Sequence, residues 1–452
     1  MLWGVGAAWW TPRGPLTGGQ AVWSVVLSLA VGALAGWVGR SRWAMLAAPV
    51  AFVTAVELAR WGVSGPSVDF PHLSPFGFVA LVSGRGVHGL LSVLPMVVGA
   101  AYGAGITRPA HSGRRGWLYA RRAGVAALAL AVALVTVAVA LPGRTPAIPG
   151  RGSVAELATV GGLGLMIRGA DRTAPVLLFV PGAPGAAEFG AVRRHLTGLE
   201  RHFVVATLDR RGGGRSYDAL EPAARSTLDG AVADTIAVST YLRERFRKEK
   251  IYLLAHSGGS VIGVLAVQRR PDLYRAYAGT GQAVHLPALD RMTYEDLLVW
   301  GRDTGRRALV DQLVRQGPPP YPDFWSYEPL MVHGQEVYGG DAGFTDTIEA
   351  GEYTLLEKVH TLNAVMDTWS VLYPTMQRVD LRVDARELPV PVYFLQGADE
   401  MRGIEVLFDE WYPRLRAPAK HLTVVDGAGH RALFERPDRL VEVLTRMLAE
   451  TR

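Results

Sequence analysis

The sequence contains no cysteine. That absence removes disulfides, zinc-thiolate sites and a cysteine nucleophile together. Lysine is nearly as scarce, confined to Lys248, Lys250, Lys358 and Lys420. Lys+Arg total 47 against 41 for Asp+Glu, a net charge of +6, so arginine supplies almost all the positive charge. No basic run interleaved with aromatics occurs, and the arginines are scattered or flank hydrophobic segments, so no nucleic-acid partner is expected. Charged residues make up only 19% of the 452 and apolar residues 49%. This balance excludes intrinsic disorder and leaves length enough for two folded units.

The apolar excess is uneven. Four stretches before Gly150, at 21–39, 43–61, 87–106 and 123–141, approach the length that spans a bilayer, and none follows. The first and fourth carry no charge, and AGVAALALAVALVTVAVAL reads as a lipid-facing helix. Pro49, Glu57 and Arg60 interrupt the second, although Glu57 and Arg60 stand three apart and can pair on one helical face. The opening MLWGVGAAWWTPRGP has no early basic region, so a cleaved secretory signal does not fit.

The short loops give an orientation. Arg40 and Arg42 separate the first two stretches, and Arg108, Arg114, Arg115, Arg121 and Arg122 separate the last two, which places both loops in the cytoplasm. Four spans then put both termini outside. The expected organisation is a transmembrane helical region over 1–142, a Pro/Gly linker over 143–152 and a catalytic domain over 153–452 facing the extracytoplasmic side of the cell membrane.

From Ser153 onward short apolar runs alternate with amphipathic segments, the signature of a mostly parallel sheet covered by helices. LGLMIRG, APVLLFVPG, HFVVATLD, IYLLAHS, PVYFLQG and HLTVVDG read as strands, and 187–201, 228–247, 261–269, 403–415 and 439–448 as helices. Residues 286–388 break the alternation and read as a helical cap inserted between two strands.

Ser257 stands in IYLLAHSGGSVIG, where an apolar strand runs through small residues (Ala255, Gly258, Gly259) into a helix. That is the setting of a nucleophile elbow, which exposes a serine Oγ on a sharp turn. His430, in the glycine-flanked loop of VVDGAGHRALFERP, and the adjacent acids Asp399 and Glu400, in QGADE, follow later strands in the order serine, acid, histidine. Glu400 is the favoured acid and Asp399 the alternative.

These residues resemble the α/β-hydrolase superfamily and, within it, the proline-iminopeptidase-like branch, over roughly 154–448. LDRRGGGRS is similar to the branch's DQRGxGxS segment with Arg210 in place of glutamine, and VPGAPG resembles its HGGPG loop with Pro181 and Ala183 substituted. The family's GxxD pattern, counted from Gly397, falls on Glu400. The resemblance implies an α/β-hydrolase fold and acyl transfer to water by a Ser257, Glu400, His430 triad. The backbone amides of Ala183 and Gly258 would form the oxyanion hole, with no metal or cofactor. It also implies that acidic cap residues hold a substrate amine, for which Glu328, Glu349 and Glu352 are the candidates. Trp325 and its aromatic neighbours fit an acyl pocket equally well, so a short peptide and a small ester both remain open as substrates. The alternatives are a carboxylesterase or lipase-like enzyme, and a non-enzymatic membrane sensor or binding protein built on a decayed hydrolase domain.

Overall fold

A computed structural model describes residues 1–107, 115–182, 184–185, 187–221, 223–339 and 343–451. It divides into two compact units, Met1–Gly143 with Tyr353–Met366, and Arg144–Glu352 with Asp367–Arg452.

Among the described residues of the first unit three helices are long and apolar enough to cross a membrane: Gly18–Gly39, Pro75–Ile106 and Arg122–Ala140. The second expected stretch forms a shorter helix, Ala44–Ala59, with Pro49 inside it. A helix over Leu2–Trp10, which hydropathy had not singled out, precedes them. Thr17 and Gln20 close a capping box at the start of Gly18–Gly39.

Two small-residue repeats meet between the long helices. A Cβ on Gly32 or Gly36 would lie 2.1 Å from Met96 O or 2.2 Å from Ala100 O, and one on Gly99 or Gly103 2.1 Å from Leu29 O or 2.0 Å from Ala33 O. GALAG and GAAYG are thus facing GxxxG motifs, the packing that helices use where lipid removes the hydrophobic drive between them. Glu57 pairs with Arg60 as its spacing suggested and also with Arg85 at 3.0 Å. The segment Tyr353–Met366 belongs to this unit: Leu356 is buried with Ala21, Val25 and Leu91, His360 Nε2 donates to Pro15 O at 2.9 Å, and Ser83 Oγ bonds Asn363 Oδ1 at 2.5 Å.

The second unit is built on an eight-stranded sheet in the order β1-β2-β4-β3-β5-β6-β7-β8. The strands are β1 Val154–Val160, β2 Leu163–Gly169, β3 Val176–Val180, β4 Val204–Leu208, β5 Ile251–His256, β6 Tyr274–Thr280, β7 Val392–Gly397 and β8 Lys420–Val425. β1 and β2 form an antiparallel hairpin, β2 meets β4 antiparallel, and the remaining pairs are parallel. β3, β4, β5 and β7 are buried at every residue. They read as unbroken apolar runs because helices cover both faces. Between β6 and β7 the chain forms the helices Leu286–Asp303, Arg307–Gln316, Phe324–Tyr338, Phe344–Glu349, Leu355–Met376 and Leu381–Asp384, of which the segment Tyr353–Met366 belongs to the first unit. Thr145 and Pro146, from the Pro-rich segment, accept from Arg168 Nη1 at 2.6 Å, while the Arg168 Nε pairs with Glu200 at 2.7 Å.

Candidate active site

Strand β5 ends at His256 and the helix Gly258–Arg269 starts two residues later, so the chain reverses direction at Ser257. It does so at φ +51°, ψ −133°. Non-glycine residues rarely hold such a conformation, and holding it points the side chain out of the turn. The neighbours are small because the turn is crowded: a Cβ on Gly259 would lie 2.1 Å from Pro181 O, and one on Gly263 2.9 Å from Ala255 Cβ.

The loop after β8 carries His430 over this turn. Ser257 Oγ donates to His430 Nε2 at 2.8 Å, and Nδ1–H donates to Glu400 Oε1 at 2.7 Å. The loop after β7 supplies the acid, and its neighbour points elsewhere. Glu400 is 1% exposed at its side chain, whereas Asp399 is exposed, its backbone N–H donating to Ala428 O at 2.9 Å. Glu400 Oε1 also accepts from Met401 N at 2.9 Å, and Oε2 is buried with no hydrogen-bond partner among the described residues. Of the two adjacent acids, Glu400 meets the imidazole. A hydroxyl, an imidazole and a carboxylate in this chain allow the imidazole to take the hydroxyl proton while the acid stabilises the resulting cation.

A sequence profile of the alpha/beta hydrolase family matches residues 177–443, more than half of the chain. The chain belongs to the alpha/beta hydrolase family. It is 27% identical over 294 residues to the probable aminopeptidase YbaC of Bacillus subtilis (strain 168), covering 62% of this chain and 91% of that protein. Among solved structures it is similar to the proline iminopeptidase-related protein of Thermus thermophilus (TM-score 0.43, 20% identity, 66% of this chain and 98% of that one). It is also similar to an epoxide hydrolase from Vigna radiata (TM-score 0.39, 18% identity, 66% and 99%). The 2-hydroxy-6-oxo-6-phenylhexa-2,4-dienoate hydrolase from a Rhodococcus species gives 0.44 at 19% identity, with 66% and 99% covered.

Electrostatics around this hydrolase's histidine pull in both directions. Burial favours the neutral ring, but the Glu400 carboxylate, by charge and by hydrogen bond, more than offsets it and raises the His430 pKa above its ordinary 6.5. His256, whose ring lies 5.1 Å from that of His430, behaves oppositely. Burial, with the nearby His430 and Arg431, holds it well below 6.5, so it stays neutral against Thr280 O and Oγ1 at 3.2 Å.

The loop that follows β3 passes over the turn: a Cβ on Gly182 would sit 3.5 Å from Ser257 Cβ. Arg210 holds that loop, with Nε donating to Pro181 O at 3.2 Å and Nη2 to Gly182 O. The arginine that replaces the expected glutamine therefore braces the stretch where Pro181 has displaced histidine. Burial lowers its pKa to about 10, against the neighbouring Glu188 and Asp209. Glu188 is itself buried, its pKa raised by burial against the pull of Arg431 and Arg210, and lies 3.8 Å from Arg431. Sequence reading missed Glu188, His256 and Arg431. Only the position of His256 beside Ser257 and of Arg431 beside His430 offered a signal.

The remaining expected residues fall as follows. Ala183 lies outside the described residues. Gly258 opens the helix Gly258–Arg269, so its amide has no acceptor within the helix. A cavity of about 470 Å³ borders His430, with Leu330, Met331, Tyr338, Asp399, Met401 and Arg431 among its lining residues. None of Glu328, Glu349, Glu352 and Trp325 lines it. Glu352 is fully buried in an ion pair with Arg193 at 2.9 Å, and Glu349 pairs with Arg194 at 3.1 Å on the surface. Glu328 is buried within the helix Phe324–Tyr338, and Trp325 stacks edge-on against Phe324 at 5.2 Å.

Proposed function

We propose that this protein is a membrane-anchored serine hydrolase, with Ser257 as nucleophile, His430 as general base and then acid, and Glu400 as the group that fixes the imidazole tautomer and stabilises its cation. The observation that carries the reading is the continuous hydrogen-bonded chain from Ser257 Oγ through His430 to Glu400, mounted on a turn at φ +51°. The reaction runs in two steps. His430 takes the Ser257 proton as Oγ attacks a carbonyl carbon, and the same proton is then given to the departing atom. Water repeats the sequence on the acyl-enzyme and frees the acid. The developing oxyanion would face the amides of Ala183 and Gly258, each donor worth about 3 kcal/mol in comparable sites. A serine at the elbow does not suit epoxide opening of the kind that begins from a carboxylate nucleophile.

An aminopeptidase is the preferred substrate reading, supported by the name of the Bacillus relative. The esterase reading has a separate support, the apolar wall of Leu330, Met331 and Met401 beside His430. The apolar helices anchor the enzyme in the bilayer, with the catalytic unit on the extracytoplasmic side. The carrying experiment is covalent labelling of purified full-length protein with a fluorophosphonate probe. Native protein labels at Ser257 and Ser257→Ala does not label or turn over, with its melting temperature little changed because the substitution removes one half-buried hydroxyl, bonded to His430, and leaves no large cavity. Labelling that survives Ser257→Ala would remove the nucleophile from this assignment. Alanine p-nitroanilide, its N-acetyl form and p-nitrophenyl butyrate, assayed together, separate the two substrate readings: rejection of the acetylated amide supports the aminopeptidase, and activity on the ester alone the esterase.

A further inference from the structure

The cavity beside the triad is one-sided: His430 lines it and Ser257 does not. In a triad hydrolase the histidine hands its proton to the leaving atom, so the departing half of the substrate extends on the histidine side of the serine. Within the wall of that cavity most charges are already engaged. Arg431 lies 3.8 Å from Glu188 and over the ring of Phe434 at 4.6 Å, Glu435 accepts from Gly429 N at 2.8 Å, and the Tyr338 hydroxyl donates to Asp296 at 2.6 Å. Asp399 differs. Its carboxylate is exposed on the wall and meets no cation and no hydrogen-bond donor among the described residues, although its backbone is locked to the His430 loop. An exposed carboxylate on an anchored backbone, without a partner among the described residues and lining the same cavity as Leu330, Met331 and Met401, is disposed to receive an opposite charge that arrives with the substrate.

We infer that the cavity bordered by Asp399 and His430 is the leaving-group subsite of this hydrolase, and that Asp399 selects leaving groups carrying a cationic amine on an aliphatic stem. The apolar wall takes the stem and the carboxylate takes the ammonium. This rests on the serine-hydrolase reading, but not on the choice between amide and ester.

The test uses full-length enzyme in detergent and two matched pairs that contrast a charged leaving group with a neutral one of similar shape: Ala-Lys amide against Ala-2-aminoheptanoic acid amide, and butyrylthiocholine against its neutral 3,3-dimethylbutyl thioester. Fluorophosphonate labelling of Ser257 is scored in the same preparations. The expected result is a kcat/KM for the charged member roughly fivefold above the neutral one in whichever pair is hydrolysed, the size of a partly exposed ion pair. That ratio should shrink with added salt and fall to about one in Asp399→Asn. A native ratio near one, or a ratio that survives Asp399→Asn, would overturn the subsite while labelling of Ser257 leaves the serine-hydrolase reading standing. Absence of both labelling and turnover would overturn that reading, and the subsite with it.

Discussion

At the residue scale the two adjacent acids show what decides a role. Asp399 and Glu400 have the same chemistry and nearly the same address, and only the backbone path after β7 separates them. It turns Glu400 inward to 2.7 Å from His430 Nδ1 and Asp399 outward to the cavity wall. The consequence is a pH dependence with a defined sign. Attack on a carbonyl needs neutral His430, and Glu400 raises its pKa above 6.5, so kcat/KM should climb with pH and reach half its plateau above that value. Glu400→Gln removes the charge that raises the pKa and the acceptor that fixes the tautomer. The half-point should therefore move down, and the plateau should fall by about 10³- to 10⁴-fold. Pre-steady-state kinetics across pH 5 to 9 on both proteins checks this. A larger loss in Asp399→Asn than in Glu400→Gln would reassign the acid. In this candidate site the serine was legible from the small-residue turn that follows its strand, and the histidine and the pair of acids from their order after later strands. Glu188 was not, because nothing in the local sequence marks a carboxylate as buried among two arginines contributed by distant segments.

At the scale of elements, six of the eight strands could be read from apolar runs, and the two missed have physical reasons. β1, VAELATV, is an edge strand whose residues are mostly half-exposed, so it lacks the unbroken apolar run of β3 or β5. β6, YRAYAGT, is central and buried, but its core is filled by Tyr274 and Tyr277, whose hydroxyls bond Ser239 and Gln282, so it does not look apolar in sequence. The GxxxG pairs in the helical unit were hidden for a similar reason: their meaning depends on which helix faces which. A tight element contact in the second unit is where the helix Gly258–Arg269 starts beneath the loop after β3. Gly259→Ala would drive a Cβ into Pro181 O at 2.1 Å, a backbone atom that Arg210 Nε already holds at 3.2 Å. Forced packing of this kind costs about 1–3 kcal/mol. The expected outcome is a drop of a few degrees in Tm together with slower fluorophosphonate labelling, because the displaced loop also passes over Ser257. Gly39→Ala, where an added Cβ meets nothing within 4 Å, is the control that should change neither. Normal labelling in Gly259→Ala would show that this contact does not position the site.

For the whole molecule the open quantity is the number of crossings, and the arginines constrain it more than helix length does. Three helices qualify by length. Three crossings, however, would put the Arg40 and Arg42 loop and the arginine-rich stretch between Ile106 and Arg122 on opposite sides, against the rule that short basic connections remain together in the cytoplasm. A fourth crossing by the helix Ala44–Ala59 restores agreement. Its 16 residues span only about 24 Å, but Trp43 and Trp61, 75% and 88% exposed at its two ends, extend it with side chains suited to the membrane interface. The absence of cysteine makes this directly testable, since every introduced thiol is unique. Single substitutions Ser41→Cys, Leu73→Cys and Ala170→Cys place one thiol in the Arg40 loop, one in the loop before Pro75 and one in the catalytic unit. In intact spheroplasts a membrane-impermeant maleimide should modify Leu73→Cys and Ala170→Cys and reach Ser41→Cys only after permeabilisation. Equal labelling of Ser41→Cys and Leu73→Cys would mean that Ala44–Ala59 does not cross. Protection of Ala170→Cys in intact spheroplasts would place the catalytic unit in the cytoplasm and reverse the orientation drawn from the arginines.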